Sequence, residues 1–176
     1  SADQNNPGAE TSNAESGGTR RVMRMGSPGA SLDADSPMFK ALHEQFRKNY
    51  FSMPKLEVLP GNVGYFRFDM LPPLDVARKT LDAAMTFLSN TDALIIDVRD
   101  TPGGVGGFIP YFMSYSLPKP DKLLFTRYFG AENRSDRFLT VEKLGSKRRP
   151  NIPLYVLTSS STGSAAENLA FTLKHH

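Results

Sequence analysis

The sequence contains no cysteine and only three histidines among its 176 residues. The absence of cysteine excludes disulfides, thiol nucleophiles and cysteine-based zinc sites together. No apolar run reaches the ~18 residues that a membrane-spanning helix needs, so we expect no membrane span. The first residues do not have the pattern of a signal peptide either. What remains is the composition of one globular domain of ordinary size, large enough to form a hydrophobic core.

The charge of the sequence is mildly basic, with a formal net charge of +3 and a pI of about 9.2. The positive residues cluster around Arg20 and Arg21, and again at residues 147–149. A basic surface that binds nucleic acid usually has interleaved aromatic side chains, and neither cluster has them. We therefore interpret both clusters as solvated loops and expect no nucleic-acid partner.

The hydrophobic residues are unevenly distributed and divide the chain into three parts. Residues 1–37 are rich in Gly, Ser, Ala, Asn and Pro, which is typical of a flexible or locally ordered tail. Residues 38–55 hold an amphipathic helix and a linker, while residues 56–176 have the pattern of an α/β core.

Strand and helix patterns alternate within the core. Residues 60–62 supply the turn of a hairpin, residues 74–88 form an amphipathic helix, and residues 93–98 form a strand buried on both faces. The remaining predicted elements are a helix after a glycine-rich turn, two polar strands at 122–129 and 137–141, a buried strand at 153–158 and a helix at 164–175. This order predicts an α/β sheet covered by helices.

A run of small hydroxyl residues, 158–162, lies between the last strand and the last helix. One interpretation is structural, because Ser164 and Glu167 have the spacing of a helix capping box. The other is catalytic, because a serine on a sharp strand-to-helix turn projects from the edge where open α/β sheets bind ligands. In that case the backbone N–H of Ala165 would be one donor to an oxyanion. The segment alone leaves both interpretations open.

A second turn, at Gly103 and Gly104, ends the buried strand at 93–98 and opens a helix. It can be an ordinary strand-to-helix turn, or it can provide the second oxyanion donor, since glycine allows close approach of the backbone. The spacing of Gly106 and Gly107 excludes a dinucleotide-binding fingerprint.

Two segments together, "DALIIDVRDTPGG" and "LYVLTSSSTGSAAENLAFTLK", resemble the tail-specific (carboxy-terminal processing) serine peptidase family. The segment "LEVLPGNVGYFRFDMLPP" is also similar to the branch of that family that includes interphotoreceptor retinoid-binding protein. The resemblance covers about two-thirds of the chain, from Leu56 to the end. It implies a crotonase/ClpP-like fold of ββα units and peptide-bond hydrolysis through an acyl-enzyme.

The resemblance also implies the roles of individual residues. Ser164 would be the nucleophile, and Ala165 with Gly103 or Gly104 would bind the oxyanion. The substrate would be a polypeptide, the location extracytoplasmic, and neither a metal nor an organic cofactor would be needed. A homo-oligomeric state stays open.

The sequence departs from the family at two places. The family often has asparagine where Thr101 stands, and its general base is a lysine on a strand that follows the serine. Lys174 cannot replace that base, because at 1.5 Å per residue it lies ~15 Å along the same helix from Ser164. We therefore expect the general base outside this chain, which would be a fragment of a longer peptidase truncated at its C-terminus.

Two other functions stay open. The first is a non-catalytic module that binds retinoid or fatty acid on the same fold, because aromatic residues are plentiful between Phe108 and Phe129. The second is acyl-CoA chemistry, in which the glycine turn would bind a thioester oxygen and Ser164 would matter little.

Overall fold

The computed structural model describes residues 19–23, 33–105 and 107–176. Its helices are α1 (Pro37–Lys48), α2 (Leu74–Phe87), α3 (Phe108–Met113) and α4 (Ala165–Lys174). Its strands are β1 (Thr19–Met23), β2 (Lys55–Leu59), β3 (Val63–Arg67), β4 (Ala93–Asp97), β5 (Leu123–Phe129), β6 (Arg134–Leu139) and β7 (Leu154–Leu157). The hairpin, helices and strands predicted for residues 38–176 are confirmed, with small differences at their ends.

A four-stranded sheet in the order β2-β3-β4-β7 forms the centre of the molecule. β2 and β3 are the predicted antiparallel hairpin, whereas β3, β4 and β7 run parallel to one another. Asp97 at the end of β4 is in register with Leu157 at the end of β7. The turns that follow these two strands therefore leave the sheet side by side.

The two polar strands β5 and β6 form a separate three-stranded sheet with β1, in the order β1-β6-β5. The sequence indicated a single sheet, because nothing in its local pattern separates strands of one sheet from those of another. β1 lies within the segment expected to be a tail and pairs in parallel with β6. The rest of that expected tail, at 1–18 and 24–32, lies outside the described residues.

The hydrophobic core joins the four-stranded sheet to helices α2, α3 and α4. Phe66 and Phe68 are fully buried, and their rings pack against Phe108 and Phe112 of α3 with centroid distances of 5.4–6.5 Å. Each such side chain contributes about 1.5–3 kcal/mol through burial. Phe108, Tyr111, Phe112 and Tyr115 are therefore structural residues of the core.

The basic segment 147–149 anchors the loop that leads into β7. Arg148 donates to the carbonyl of Ser114 at 2.6 Å, and Arg149 donates to the carbonyl of Leu88 at 2.6 Å. Burial lowers the pKa of both guanidinium groups. The interpretation of this cluster as a solvated loop is wrong for the two arginines, because they satisfy carbonyls at the ends of neighbouring helices.

Candidate functional site

The two turns that the sequence singled out meet at one edge of the four-stranded sheet. We call residues 98–104, after β4, the glycine turn, and residues 158–164, after β7, the serine turn. A Cβ atom placed on Gly103 would lie 2.9 Å from the Cβ of Ser164 and 3.4 Å from its Oγ. A Cβ on Gly163 would lie 2.8 Å from the carbonyl oxygen of Pro102. The turns are thus in direct contact.

The glycine turn is pinned to the segment that follows β3. The Leu71 N–H donates to the Gly103 carbonyl at 2.9 Å, and the Val105 N–H donates to the Leu71 carbonyl at 2.9 Å. Gly103 and Gly104 have φ values of 141° and 146°, and a Cβ on Gly104 would lie 2.1 Å from the Leu71 oxygen. Only glycine fits at this position.

Ser164 has an unusual backbone conformation, with φ 51° and ψ −116°. It forms the predicted capping box of α4, and its N–H donates to the Glu167 carboxylate at 2.6 Å. Capping does not explain the conformation, because Ser36 caps α1 with an ordinary φ of −63° and ψ of 143°. A non-glycine residue held at positive φ costs about 1–3 kcal/mol and is typical of functional sites. A strained strand-to-helix turn presents the nucleophile of the α/β-hydrolases.

Backbone N–H groups without a protein acceptor occur in both turns, and the Ser164 side chain is exposed. Ala165 is the first residue of α4, where an N–H has no acceptor within the helix. Within the part of the chain that the structure describes, the N–H groups of Ala165, Gly103 and Gly104 donate to no protein oxygen. Such donors can stabilise negative charge on a substrate oxygen held next to the serine.

Two other hydroxyls of the serine turn donate to carbonyls of the glycine turn. Thr162 Oγ1 donates to the Val98 carbonyl at 2.8 Å and accepts the Ser159 N–H at 2.9 Å. Ser159 Oγ donates to the Arg99 carbonyl. The sequence did not reveal these bonds, because the partners lie about 60 positions away and leave no local signal.

Thr101 links the glycine turn to both of its neighbours. Its buried hydroxyl donates to the Phe68 carbonyl at 2.5 Å, and its own carbonyl accepts the Gly163 N–H at 3.0 Å. Threonine at this position therefore makes well-defined hydrogen bonds.

The buried carboxylate of Asp97 stabilises the glycine turn. Asp97 is only 3% exposed, and its carboxylate accepts from the Tyr65 hydroxyl and from the Nε of Arg99 at 3.0 Å. The hydrogen bonds from Arg99 hold the pKa of Asp97 far below its usual range, against the opposing effect of burial. Burial, followed by the hydrogen bond to Asp97, raises the pKa of Tyr65. The sequence did not reveal this cluster, because Tyr65 lies on a different strand.

The three histidines contact other parts of the structure. The His43 ring packs against Phe51 with a centroid distance of 5.2 Å, and His175 Nδ1 lies 2.8 Å from the Phe171 carbonyl. His176 Nε2 lies 3.1 Å from the carbonyl of Leu124. None of these contacts reaches the Ser164 hydroxyl.

Metal-ligating residues are scattered across the fold. Among the described residues, no three His, Asp or Glu side chains are arranged to hold a metal ion. No helix in the described ranges is long and apolar enough to cross a bilayer.

A cleft of about 440 Å³ runs between β7 and α4 and reaches the serine turn at Thr158. Its lining is mostly apolar and consists of Leu154, Tyr155, Val156, Thr158, Ala170, Phe171, Leu173 and Lys174. A volume in this range can accommodate a small ligand or a few side chains of a larger one.

The sequence and the fold match a known group of proteins. A sequence profile of peptidase family S41 matches residues 62–176. The structure resembles a candidate peptidase from Parabacteroides merdae, with 19% identity and a TM-score of 0.56 over 78% of this chain. It also resembles a candidate S41 protease from Bacteroides fragilis, with 21% identity and a TM-score of 0.60 over 71% of this chain.

A third solved structure is the photosystem II D1 C-terminal processing protease, with 24% identity and a TM-score of 0.50 over 67% of this chain. The chain spans 49%, 36% and 30% of the lengths of the Parabacteroides, Bacteroides and photosystem II proteins. The predicted α/β fold with helices packed on the sheet is confirmed, while its description as crotonase/ClpP-like stays a prediction.

Proposed function

Since the chain belongs to peptidase family S41, we propose that it carries the nucleophile and the oxyanion donors of a serine endopeptidase. The proposal depends above all on the contact between the two turns, in which the Cβ position of Gly103 lies 3.4 Å from Ser164 Oγ. The left-handed φ of Ser164 supports it, because a helix cap does not require that conformation.

Ser164 Oγ attacks the carbonyl carbon of a peptide bond and forms a tetrahedral adduct. The oxygen of that adduct becomes negative and accepts from the N–H of Ala165 and from the N–H of Gly103 or Gly104. Each such donor contributes about 3–4 kcal/mol to the stability of the transition state. The adduct then collapses, the C–N bond breaks, the amine leaves, and water hydrolyses the acyl-Ser164 ester.

The general base lies outside these 176 residues. It takes the proton of the Ser164 hydroxyl and returns it to the departing amine nitrogen. Two observations support this placement. His175 and His176 contact carbonyls elsewhere in the structure, and Lys174 lies at the opposite end of α4 from Ser164. Glu167 is next to Ser164 but its carboxylate already accepts the Ser164 N–H.

The substrates are extended or unfolded polypeptides, and hydrolysis takes place outside the cytoplasm. Both statements follow from the likeness to tail-specific peptidases. The exposed position of Ser164 supports the first, since an extended peptide can approach the serine without folding around a deep pocket.

Replacing Ser164 with alanine in the natural full-length protein tests the assignment. We expect Ser164→Ala to lower the hydrolysis of an unfolded polypeptide roughly 10⁴-fold or more, and to abolish labelling by a fluorophosphonate. Ser161→Ala removes an exposed hydroxyl of the same turn and should leave both measurements unchanged. Undiminished hydrolysis by Ser164→Ala would show that another group is the nucleophile.

A second candidate function is the binding of a small apolar ligand, such as a retinoid or fatty acid, in the cleft between β7 and α4. The apolar lining and the volume of about 440 Å³ favour it. Titration with retinol, monitored by ligand fluorescence, should then show saturable binding that Leu173→Glu abolishes. Binding that this substitution leaves intact would exclude the cleft.

A further inference from the structure

Ser159 and Thr162 connect the serine turn to the glycine turn through their side chains. Thr162 Oγ1 donates to the Val98 carbonyl at 2.8 Å, and Ser159 Oγ donates to the Arg99 carbonyl. We propose that this pair, which we call the hydroxyl bridge, positions Ser164 against the oxyanion donors of the glycine turn. The inference rests on the proposed function and assigns two positioning residues to the same site.

The Thr162 hydroxyl is held in one orientation by two partners. It is 9% exposed, donates to the Val98 carbonyl and accepts the Ser159 N–H at 2.9 Å. The Val98 carbonyl also accepts the N–H of Thr101 at 3.1 Å. One carbonyl oxygen therefore receives a donor from each turn, so the separation of the turns depends on the Thr162 hydroxyl.

The hydroxyl bridge joins the two turns just beyond the ends of β4 and β7. The last backbone bond of the ladder between β4 and β7 runs from the Val98 N–H to the Leu157 carbonyl at 3.0 Å. Beyond it, the backbone bond from the Gly163 N–H to the Thr101 carbonyl also joins the two turns. The side chains of Ser159 and Thr162 make the connections that lie between these two backbone bonds.

Only Gly163 separates the bridge from the nucleophile. The Gly163 N–H donates to the Thr101 carbonyl at 3.0 Å, so the bridge and this backbone bond hold Ser164 from the same side. Two residues span at most about 7 Å, which leaves little slack between Thr162 and Ser164. A shift of the serine by about 1 Å can cost roughly 10²-fold in the rate of reaction.

The test measures the reaction of Ser164 with a fluorophosphonate in the natural full-length protein. We expect Thr162→Val, which keeps the shape of the side chain but removes the hydroxyl, to lower the maximal labelling rate roughly 10- to 100-fold. The probe concentration that gives half of that rate should stay unchanged, because the bridge does not contact the probe. Thr162→Ser keeps the hydroxyl and should restore a rate close to that of the wild type.

Thr172 provides a matched control on α4. Its hydroxyl is also buried and donates to Asn168 Oδ1 at 2.9 Å, but it connects nothing between the turns. Thr172→Val should lower the melting temperature without slowing the labelling of the folded protein. If it slows labelling as much as Thr162→Val does, the effect is general destabilisation and the bridge has no positioning role.

Further outcomes would also overturn the inference. A wild-type labelling rate for Thr162→Val, or a Thr162→Ser variant as slow as Thr162→Val, would show that the hydroxyl does not position the serine. If Thr162→Val does not fold, Ser159→Ala gives the same test, and a wild-type rate there overturns the bridge.

Labelling of Ser164→Ala itself would refute the proposed nucleophile and the bridge together. If Ser164→Ala is not labelled and Thr162→Val is labelled at the wild-type rate, the bridge alone is refuted. The two failures are therefore distinguishable.

Discussion

The glycine turn and the serine turn leave the same edge of the sheet but are built by different means. The glycine turn has two glycines at positive φ and is fixed by bonds to Leu71 and by the buried charge of Asp97. The serine turn is fixed mainly by hydroxyl groups and backbone bonds, with the Glu167 carboxylate on the N–H of its one strained residue, Ser164. A turn that offers only backbone donors can use glycine, whereas a turn that offers a side chain must tolerate the strain.

The largest effect is expected for Gly104→Ala, which tests whether the glycine turn depends on the absence of a side chain. The added methyl would lie 2.1 Å from the Leu71 oxygen at a φ of 146°, so steric overlap and strain add up. We expect the free energy of unfolding to fall by about 3–6 kcal/mol, measured by urea denaturation.

Two other glycines separate the causes of that loss. Gly61 has a φ of 79° but no atom within 4 Å of its Cβ position, and Gly107 has neither a positive φ nor a close neighbour. Gly61→Ala should therefore cost about 1 kcal/mol, and Gly107→Ala about nothing. If Gly104→Ala is as stable as Gly107→Ala, the account of the glycine turn is wrong.

A smaller effect is expected for Asp97→Asn, which tests whether the buried charge of Asp97 stabilises the glycine turn. Removing the charge that accepts from Arg99 should cost about 1–3 kcal/mol at pH 7, measured by urea denaturation. The pKa of Asp97 is lower in the folded protein than its ordinary value. Between these two pKa values the folded state therefore binds fewer protons than the unfolded state. The stabilisation is complete above pH ~4 and is lost as the pH falls toward the folded pKa.

The difference in stability between wild type and Asp97→Asn should therefore shrink below pH ~4. Asp69 is a matched control, because it accepts from Arg67 across the same two-residue spacing at 3.1 Å but is half exposed. Asp69→Asn should cost less than about 1 kcal/mol. An equal cost for the two substitutions would mean that burial gives Asp97 no special role.

The smallest effect is expected at Ser164, where we compare two variants that lack the hydroxyl. Ser164→Gly removes the strain at φ 51°, whereas Ser164→Ala keeps it. Relief of the strain gains about 1–3 kcal/mol, whereas the greater loss of conformational freedom of glycine costs about 0.5–1 kcal/mol. The glycine variant should therefore be more stable than the alanine variant by about 1 kcal/mol. A more stable alanine variant in thermal denaturation would show that the serine turn is not strained.

The sequence predicted the elements and both turns correctly because their signals are local. Residues 60–62 supply the turn of the hairpin, the spacing of Ser164 and Glu167 predicts the cap, and Gly103 with Gly104 marks a close approach. Each of these signals lies within a few residues of the feature that it predicts.

The contacts that complete the site could not be predicted in the same way. The bonds from Thr162 to Val98 and from Tyr65 to Asp97 join residues 64 and 32 positions apart. A hydroxyl or a carboxylate has the same local signature whether its partner is water, a nearby amide or a distant carbonyl. The separation of β5 and β6 from the main sheet was missed for the same reason, because pairing between strands is decided by tertiary contacts.

Residues 103 and 164 touch in the fold but emerge far apart during translation. A ribosome that adds roughly 5–20 residues per second completes the first turn several seconds before the second. During that interval the nascent polypeptide contains the glycine turn but not yet the Ser164 hydroxyl. The candidate site is therefore incomplete on the nascent chain at least until β7 docks beside β4.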